Sequence, residues 1–590
     1  MIRFGRAGRV VFTAFAAGMV SAASAQGFFP AKPDQFAPAL VAREDAPLAR
    51  ITPVSDAMLR DPPAGDWLMW RRTYDGRGWS PLKQVDRTNV AHLQLAWSWA
   101  LANGATEIAP VVHDGVLFIQ NHDEGVEALN AASGDLLWRY ARPRAKGVTI
   151  FPKRSMALTG DTVVVATSDR HLVALGARDG KVRWDAAVPG EGAAFTSGPM
   201  ALDGRIVIGA TNCVTARCFI SAHSAADGHE LWRFNTVAAS GEPGGDSWNG
   251  LPLDQRFGGS AWTSGSFDPG TGLLYWGTGQ PYPWNSFARG TNRTVDGPGN
   301  ALLYTDSTLA LDPATGKLAW HYAHLPNDNW DMDYVFERTL VDGTVAGKPQ
   351  RLVVTTGKLG IVEALDARTG RFAWAHDSGL QNIVARIDPV TGEKAINPAA
   401  IPAIGKPVTI CPHPGGARSG ASTAYDPELH LLFLPMQEHC TEMVARAREA
   451  GQRTAQVDFT LQLRPGSDGN VGRLEAMDLR TGRLAWQHRE RAPQSTAALP
   501  TAGGVVFVGN LDRYFSAYDA RDGRLLWRTR LNDVPNGPPI TFTAGGRQFV
   551  AVTTGSGSPF TRTWGNLVPD IRGPAQGGAT LWVFALPDRR

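Results

Sequence analysis

One phrase returns seven times along the chain, and it limits the possible folds more than any other feature. It reads ALNAASGDLLW (128–138), ALGARDGKVRW (174–184), AHSAADGHELW (222–232), ALDPATGKLAW (310–320), ALDARTGRFAW (364–374), AMDLRTGRLAW (476–486) and AYDARDGRLLW (517–527). Two degenerate copies, FDPGTGLLYW (267–276) and YDPELHLLFL (425–434), fall inside the widest gaps. Each copy reads as a strand end, a polar turn closing on glycine, and a second strand ending at tryptophan. The polar residue at the third position can bond the turn backbone, and the glycine takes up the positive φ that such a turn requires.

Alternating runs between copies, such as DTVVVATSD, GRIVIGAT and GGVVFVGN, supply the other strands of small antiparallel sheets. Repeated four-stranded sheets, each with one large aromatic, predict an all-β, eight-bladed β-propeller whose tryptophans dock blade against blade. The composition agrees: 65 Gly, 40 Pro and 19 Trp mark a turn-dense chain. To close the ring, TLWVFAL near the C-terminus is expected to pair with LAWSWA (95–100). A linear solenoid would leave both ends open and needing caps that are not evident.

A net charge of +3 with no basic stripe excludes nucleic-acid binding. Arg3, Arg6 and Arg9, the apolar run VVFTAFAAGMV and ASA ending at Ala25 read as an export signal. The apolar run is too short to span a bilayer and nothing later is longer, so no transmembrane segment is expected once the signal is removed. The expected organisation is a leader over 1–25, an extension over 26–60 and one propeller domain over 61–590, exported to an oxidising compartment. Four cysteines in an exported chain suggest two disulfides, with free buried thiols as the alternative. Cys213 and Cys218 are five apart and Cys411 and Cys440 twenty-nine apart, which suggests one tight staple and one longer one. No CxxCH occurs, so no c-type haem domain is expected on this chain.

Propellers carry function in the loops at one mouth of the ring. Three inter-repeat segments are long, 233–305, 321–358 and 375–475, and the second contains PNDNWDMDYV (326–335). The segments GEPGGDSW, FGGSAWTSGSFDPGTGLLYWGTGQPYPWN and ALDPATGKLAWHYAHLPNDNWDMD occur in that order. In them, and from DWLMWRRTYDGRGWSPLKQVDRTNV to TLWVFALPD, the chain resembles the pyrroloquinoline-quinone (PQQ) dependent alcohol dehydrogenases of the bacterial periplasm.

The resemblance implies an eight-bladed propeller with one PQQ and one metal ion on its axis. It implies that Glu107 contacts the polar rim of the quinone and Arg154 a carboxylate of the cofactor. Thr196 and Ser260 match its hydroxyl partners, and Trp262 matches the tryptophan lying flat beneath the rings, where stacking adds to area burial. Asp331 matches the catalytic base, and Lys358 the cation beside the reactive carbonyl. The chemistry is coherent: a carboxylate takes the alcohol proton while a hydride leaves carbon for the quinone, and a cation with Lys358 stabilises the charge that develops. Cys411 and Cys440 keep the family's disulfide spacing.

Departures from the family pattern are equally specific. Val148 and Thr149 stand near the place of its two adjacent cysteines, leaving open what covers the upper face of the cofactor. GATNCVTARC holds no carboxylate where a metal-binding glutamate is expected, and Asn212 is the nearest candidate; Gln280 replaces an asparagine ligand. Ser419 and Gly420 stand where the pattern has Asn-Trp, which would enlarge the pocket toward larger or secondary alcohols. Asp331, Gln280 and Asn212 suit calcium, whereas Asp333, two residues after the base, marks the lanthanide-using members. The expected ion is Ca²⁺, with a lanthanide as the alternative. Asp328 reads as a structural turn residue. The implied partners are an alcohol and an external electron acceptor such as a c-type cytochrome. The competing reading is a non-catalytic envelope propeller that scaffolds protein assembly, which has no need to keep Trp262, Asp331 and Lys358 together.

Overall fold

The computed structural model describes residues 47–143, 146–190, 192–291, 298–447, 457–557, 563–574 and 577–588. The expected leader, and the extension as far as residue 46, lie outside the described residues. Among the described residues, no helix is long and apolar enough to cross a membrane. The chain is all-β, with a few short helical turns between strands.

Eight four-stranded antiparallel sheets follow one another along the described residues. Seven form consecutively in sequence, and the eighth joins the two ends of the chain. In that sheet the strand Gln94–Ala100 pairs antiparallel with Thr580–Ala585, Trp99 facing Leu581, so the expected pairing of terminal strands is found.

Each of the seven clear copies of the repeat joins the third and fourth strands of a sheet, as ALDPATGKLAW joins Ser307–Leu311 to Leu318–Ala323. The turn works as the sequence suggests. Asp312 Oδ1 accepts hydrogen bonds from the amides of Ala314 and Thr315, both at 2.9 Å, and Gly316 adopts φ 69°. The two degenerate copies are also strand–turn–strand units, at a different place in the sheet. FDPGTGLLYW and YDPELHLLFL join the first and second strands of sheets that carry a clear copy further on, so they add no sheets of their own.

The glycine has a second task that the repeat alone does not reveal. A Cβ on Gly316 would lie 2.4 Å from the ring of Trp232, which belongs to the preceding sheet. The Trp232 indole also donates to Pro313 O in the same turn, at 3.0 Å. The pattern recurs from sheet to sheet: Trp138 donates to Ala177 O, Trp184 to Ala225 O, Trp320 to Ala367 O and Trp486 to Ala520 O. Trp527 donates to Leu93 O, and Trp97 of the composite sheet donates to Ala131 O of the first. These indole bonds join seven of the eight pairs of neighbouring sheets; Trp374 of the fifth sheet instead packs against an apolar cluster drawn from the fifth and sixth.

The segment before the first sheet is fastened near its start. Thr52 gives its amide and hydroxyl to Asp114 Oδ2, at 2.8 and 2.6 Å. Buried His113 lies 2.8 Å from Asp66 Oδ2 through Nδ1 and 3.0 Å from Thr52 O through Nε2. Both partners are acceptors only, so satisfying both bonds requires a proton on each ring nitrogen.

Candidate active site

The segments that lead into the first strand of each sheet converge. Glu107 precedes Val111–His113, Arg154 precedes Ala157–Thr159, and Thr196 precedes Met200–Leu202. Ser260 and Trp262 precede Ser266–Asp268, Asp331 and Asp333 precede Thr339–Val345, and Ser419 and Gly420 precede Ala424–Asp426. All of these line one cavity of about 350 Å³. Loops between second and third strands add Asn212, Gln280 and Lys358. A smaller cavity shares Glu107, Arg154, Ser419 and Gly420 with it and adds Ser495 and Asn536, from the segments entering the two remaining sheets.

The aspartate cluster is built by its own turn. Asp328 accepts hydrogen bonds from the amides of Trp330 (2.8 Å) and Met332 (2.7 Å), the local bonding expected of a structural turn residue. Trp330 is fully buried and donates its indole N–H to Ala400 O at 2.7 Å. Between these anchors Asp331 adopts φ 63°, a left-handed conformation that aspartate tolerates better than most residues.

Lys358 binds this turn three times. Its Nζ lies 2.8 Å from Asp331 O, 3.2 Å from Asp331 Oδ1 and 2.7 Å from Asp333 Oδ2. Asp333 Oδ1 accepts from the Gln280 amide at 3.2 Å, so both oxygens of Asp333 are engaged. Asp331 Oδ1 is buried, with the Lys358 ammonium as its nearby charge partner. Burial pushes the Asp331 carboxyl up; Lys358 opposes this, Asp333 and Asp328 add to it, and the net shift is upward. Burial alone would lower the Lys358 ammonium, but Asp331 and Asp333 reverse the effect and hold it charged. Burial raises Asp328 to about 6 against the pull of its two amide donors.

At the other side of the cavity the expected cofactor contacts hold one another. Arg154 pairs with Glu107 at 2.6 Å and donates to Thr196 O and Trp262 O at 3.3 and 3.2 Å. Its guanidinium lies 4.5 Å over the Trp262 ring. Buried opposite charges in one cavity are stable only when paired, which the sequence motifs did not reveal. Trp262 meets Phe336 edge-on at 5.1 Å, which fixes the indole plane.

Phe151, Pro152, Val214 and Tyr282 form an apolar part of the wall that no motif indicated. Phe151 and Pro152 follow shortly after Val148-Thr149, so this segment reaches the cavity through different residues from those the family pattern suggested. Both disulfides are formed, Cys213–Cys218 and Cys411–Cys440, and Cys213 lines the cavity. Sequence reasoning also missed Asp306, fully buried with neither carboxylate oxygen hydrogen-bonded; burial, then Asp328 and Asp333, push it well above the usual carboxylate range. Nothing in TDSTLAL distinguished it from a turn residue.

The donors suit a flat polyanionic quinone and a hard cation. An indole face, two hydroxyl residues and the cations Arg154 and Lys358 surround the space, and Asp331 Oδ1, Gln280 and Asn212 offer oxygen. Fold and site together define a class, an all-β protein whose four-stranded sheets each send a segment to adjoining charged cavities. A family model described as "PQQ: Glucose/ethanol/alcohol dehydrogenase, beta-propeller domain" matches residues 67–395 and 393–550. The chain is 33% identical over 577 residues to a quinohemoprotein alcohol dehydrogenase, ADH IIB, of Pseudomonas putida, covering 92% of this chain and 81% of that protein. It is 30% identical over 600 residues to a quinoprotein ethanol dehydrogenase of Pseudomonas aeruginosa, covering 92% and 94%. The solved structure of quinohemoprotein alcohol dehydrogenase ADHIIG from Pseudomonas putida HK5 superposes with a TM-score of 0.82 at 27% identity, covering 92% of this chain and 84% of that one. The chain belongs to the PQQ-dependent β-propeller alcohol dehydrogenases, a family of oxidoreductases.

Proposed function

We propose that this protein is a periplasmic dehydrogenase that oxidises a larger or secondary alcohol to a ketone or aldehyde and passes the electrons to an external acceptor such as a c-type cytochrome. Its propeller has eight blades joined by tryptophan docking and spans residues 61–590, after a leader over 1–25 and an extension over 26–60. The observation that carries the reading is the meeting of Asp331, Lys358 and Trp262 at one cavity.

PQQ, when bound, supplies a quinone that accepts two electrons. Trp262 provides the flat apolar floor against which such a ring system stacks. Arg154, Glu107, Thr196 and Ser260 hold its polar edge. Asp331, Gln280 and Asn212 hold the metal ion; Asp333 is already committed to Lys358 and Gln280, which favours Ca²⁺ over a lanthanide needing a further free carboxylate. Asp331 accepts the hydroxyl proton of the alcohol as its carbinol hydrogen departs. Lys358 orients that carboxylate and, as a buried cation, favours negative charge building up nearby. The small side chains at Ser419 and Gly420 leave room for a bulky substituent.

Dye-linked dehydrogenase activity across an alcohol panel, with and without added PQQ, tests the reading. Turnover that needs PQQ and favours larger secondary alcohols is expected. Activity that does not need PQQ, or no activity with any alcohol, would overturn it; a preference for methanol or ethanol would overturn the substrate class. Activity recovered only with La³⁺ and not Ca²⁺ would reverse the metal assignment.

A further inference from the structure

The Cys213–Cys218 disulfide sits beside the cavity rather than out in a surface loop. Cys213 and Cys218 are 1% and 0% exposed, and Cys213 forms part of the cavity wall next to Asn212. Asn212 adopts φ 58°, a left-handed conformation that costs energy for a residue with a side chain. One backbone hydrogen bond of each cysteine is made with the same residue. Gly258 donates to Cys213 O at 3.0 Å, and Cys218 donates to Gly258 O at 3.3 Å. Gly258 opens the GGSAW segment, which carries Ser260 and Trp262 into the same cavity. Cys218 Sγ also lies 3.7 Å from Ser260 Oγ.

We propose that the Cys213–Cys218 disulfide is a positioning element of the cofactor site, strapping the Ser260–Trp262 floor and the Asn212 loop in place. The proposal rests on the reading of this cavity as the PQQ site. Closing a loop of five-residue separation removes less chain entropy than closing one of twenty-nine. The short bridge therefore contributes less to global stability than Cys411–Cys440, and its value lies in local order. Breaking it is a two-electron reduction: the S–S bond is cleaved by a phosphine, and water supplies the two thiol protons and the oxygen of the phosphine oxide that forms.

The test crosses the two bridges. Apoprotein is titrated with PQQ and Ca²⁺ by tryptophan-fluorescence quenching, and Tm is measured alongside, for wild type, Cys213→Ser/Cys218→Ser and Cys411→Ser/Cys440→Ser. The first variant is expected to lose about ten-fold or more in PQQ affinity with the smaller fall in Tm. The second should show the larger fall in Tm with PQQ affinity retained. Wild-type affinity in the first variant overturns the proposal. If that variant does not fold, wild-type apoprotein is treated with the phosphine, reduction at Cys213 and Cys218 is confirmed by alkylation mapping, and the titration is repeated. Unchanged affinity with that bridge open again overturns the proposal. Wild-type apoprotein that takes up no PQQ would overturn the cofactor reading and this inference with it, an outcome distinct from failure of the variant alone.

Discussion

At the level of single residues, the site depends on one ammonium held between two carboxylates. Lys358 fixes Asp331 by its backbone and its side chain together, so the proposed base is oriented before any substrate arrives. Asp331→Ala is expected to lower kcat by a factor of ~10²–10⁴ while the circular dichroism spectrum stays that of wild type. Ser419→Trp should fill the space beside the shared wall of the two cavities. It should lower kcat/KM for bulky secondary alcohols far more than for ethanol, in a panel assay on both proteins. Much of this candidate site was legible in the sequence: Asp331, Lys358, Trp262, Ser260 and Asn212, singled out from separate phrases, all line one cavity. Motif phrases locate residues on the chain, and the ring brings those phrases together. Who pairs with whom was not legible. The Arg154–Glu107 pair, the commitment of Asp333 to Lys358 and the orphaned Asp306 depend on distances between segments that no motif encodes.

At the level of elements, the repeat turn does two things at once, and only one of them is written in the repeat. Its glycine permits the left-handed backbone, and its missing Cβ makes the seat for a tryptophan from the neighbouring sheet. Gly316→Ala should therefore destabilise the protein by ~1–3 kcal/mol, read from the urea midpoint. FDPGTGLLYW and YDPELHLLFL resemble the repeat while joining first and second strands, because an Asp-Pro turn before a strand looks alike at either end of a sheet. The anchor of the N-terminal segment is sensitive to pH. Burial pulls the His113 imidazolium down, but its hydrogen bond to Asp66 and the charges of Asp66 and Asp114 more than reverse this, leaving its pKa above the ordinary value. A raised pKa in the folded protein contributes stability that is complete below the unfolded value of about 6.5 and is lost as pH rises through the folded value. The stability gap between wild type and His113→Gln should thus narrow as pH rises past that point, measured by urea unfolding across a pH series.

At the level of the whole molecule, the eighth sheet is made from both ends of the described chain, with Gln94 opposite Ala585. Removing residues 580–590 would strip that sheet of its third strand and leave Gln94–Ala100 without a partner. Unpaired strand edges invite association, so the truncated protein should aggregate or fail to give a cooperative thermal transition, seen by light scattering and calorimetry. The two adjoining cavities draw one segment from each of the eight sheets. A guest spanning both cavities would touch segments from all eight sheets, so occupancy and integrity become linked quantities. A ligand that binds only the closed ring stabilises it by ~2.7 kcal/mol at a hundred times its Kd. Filling the cavity should therefore raise the melting temperature of the domain as one unit.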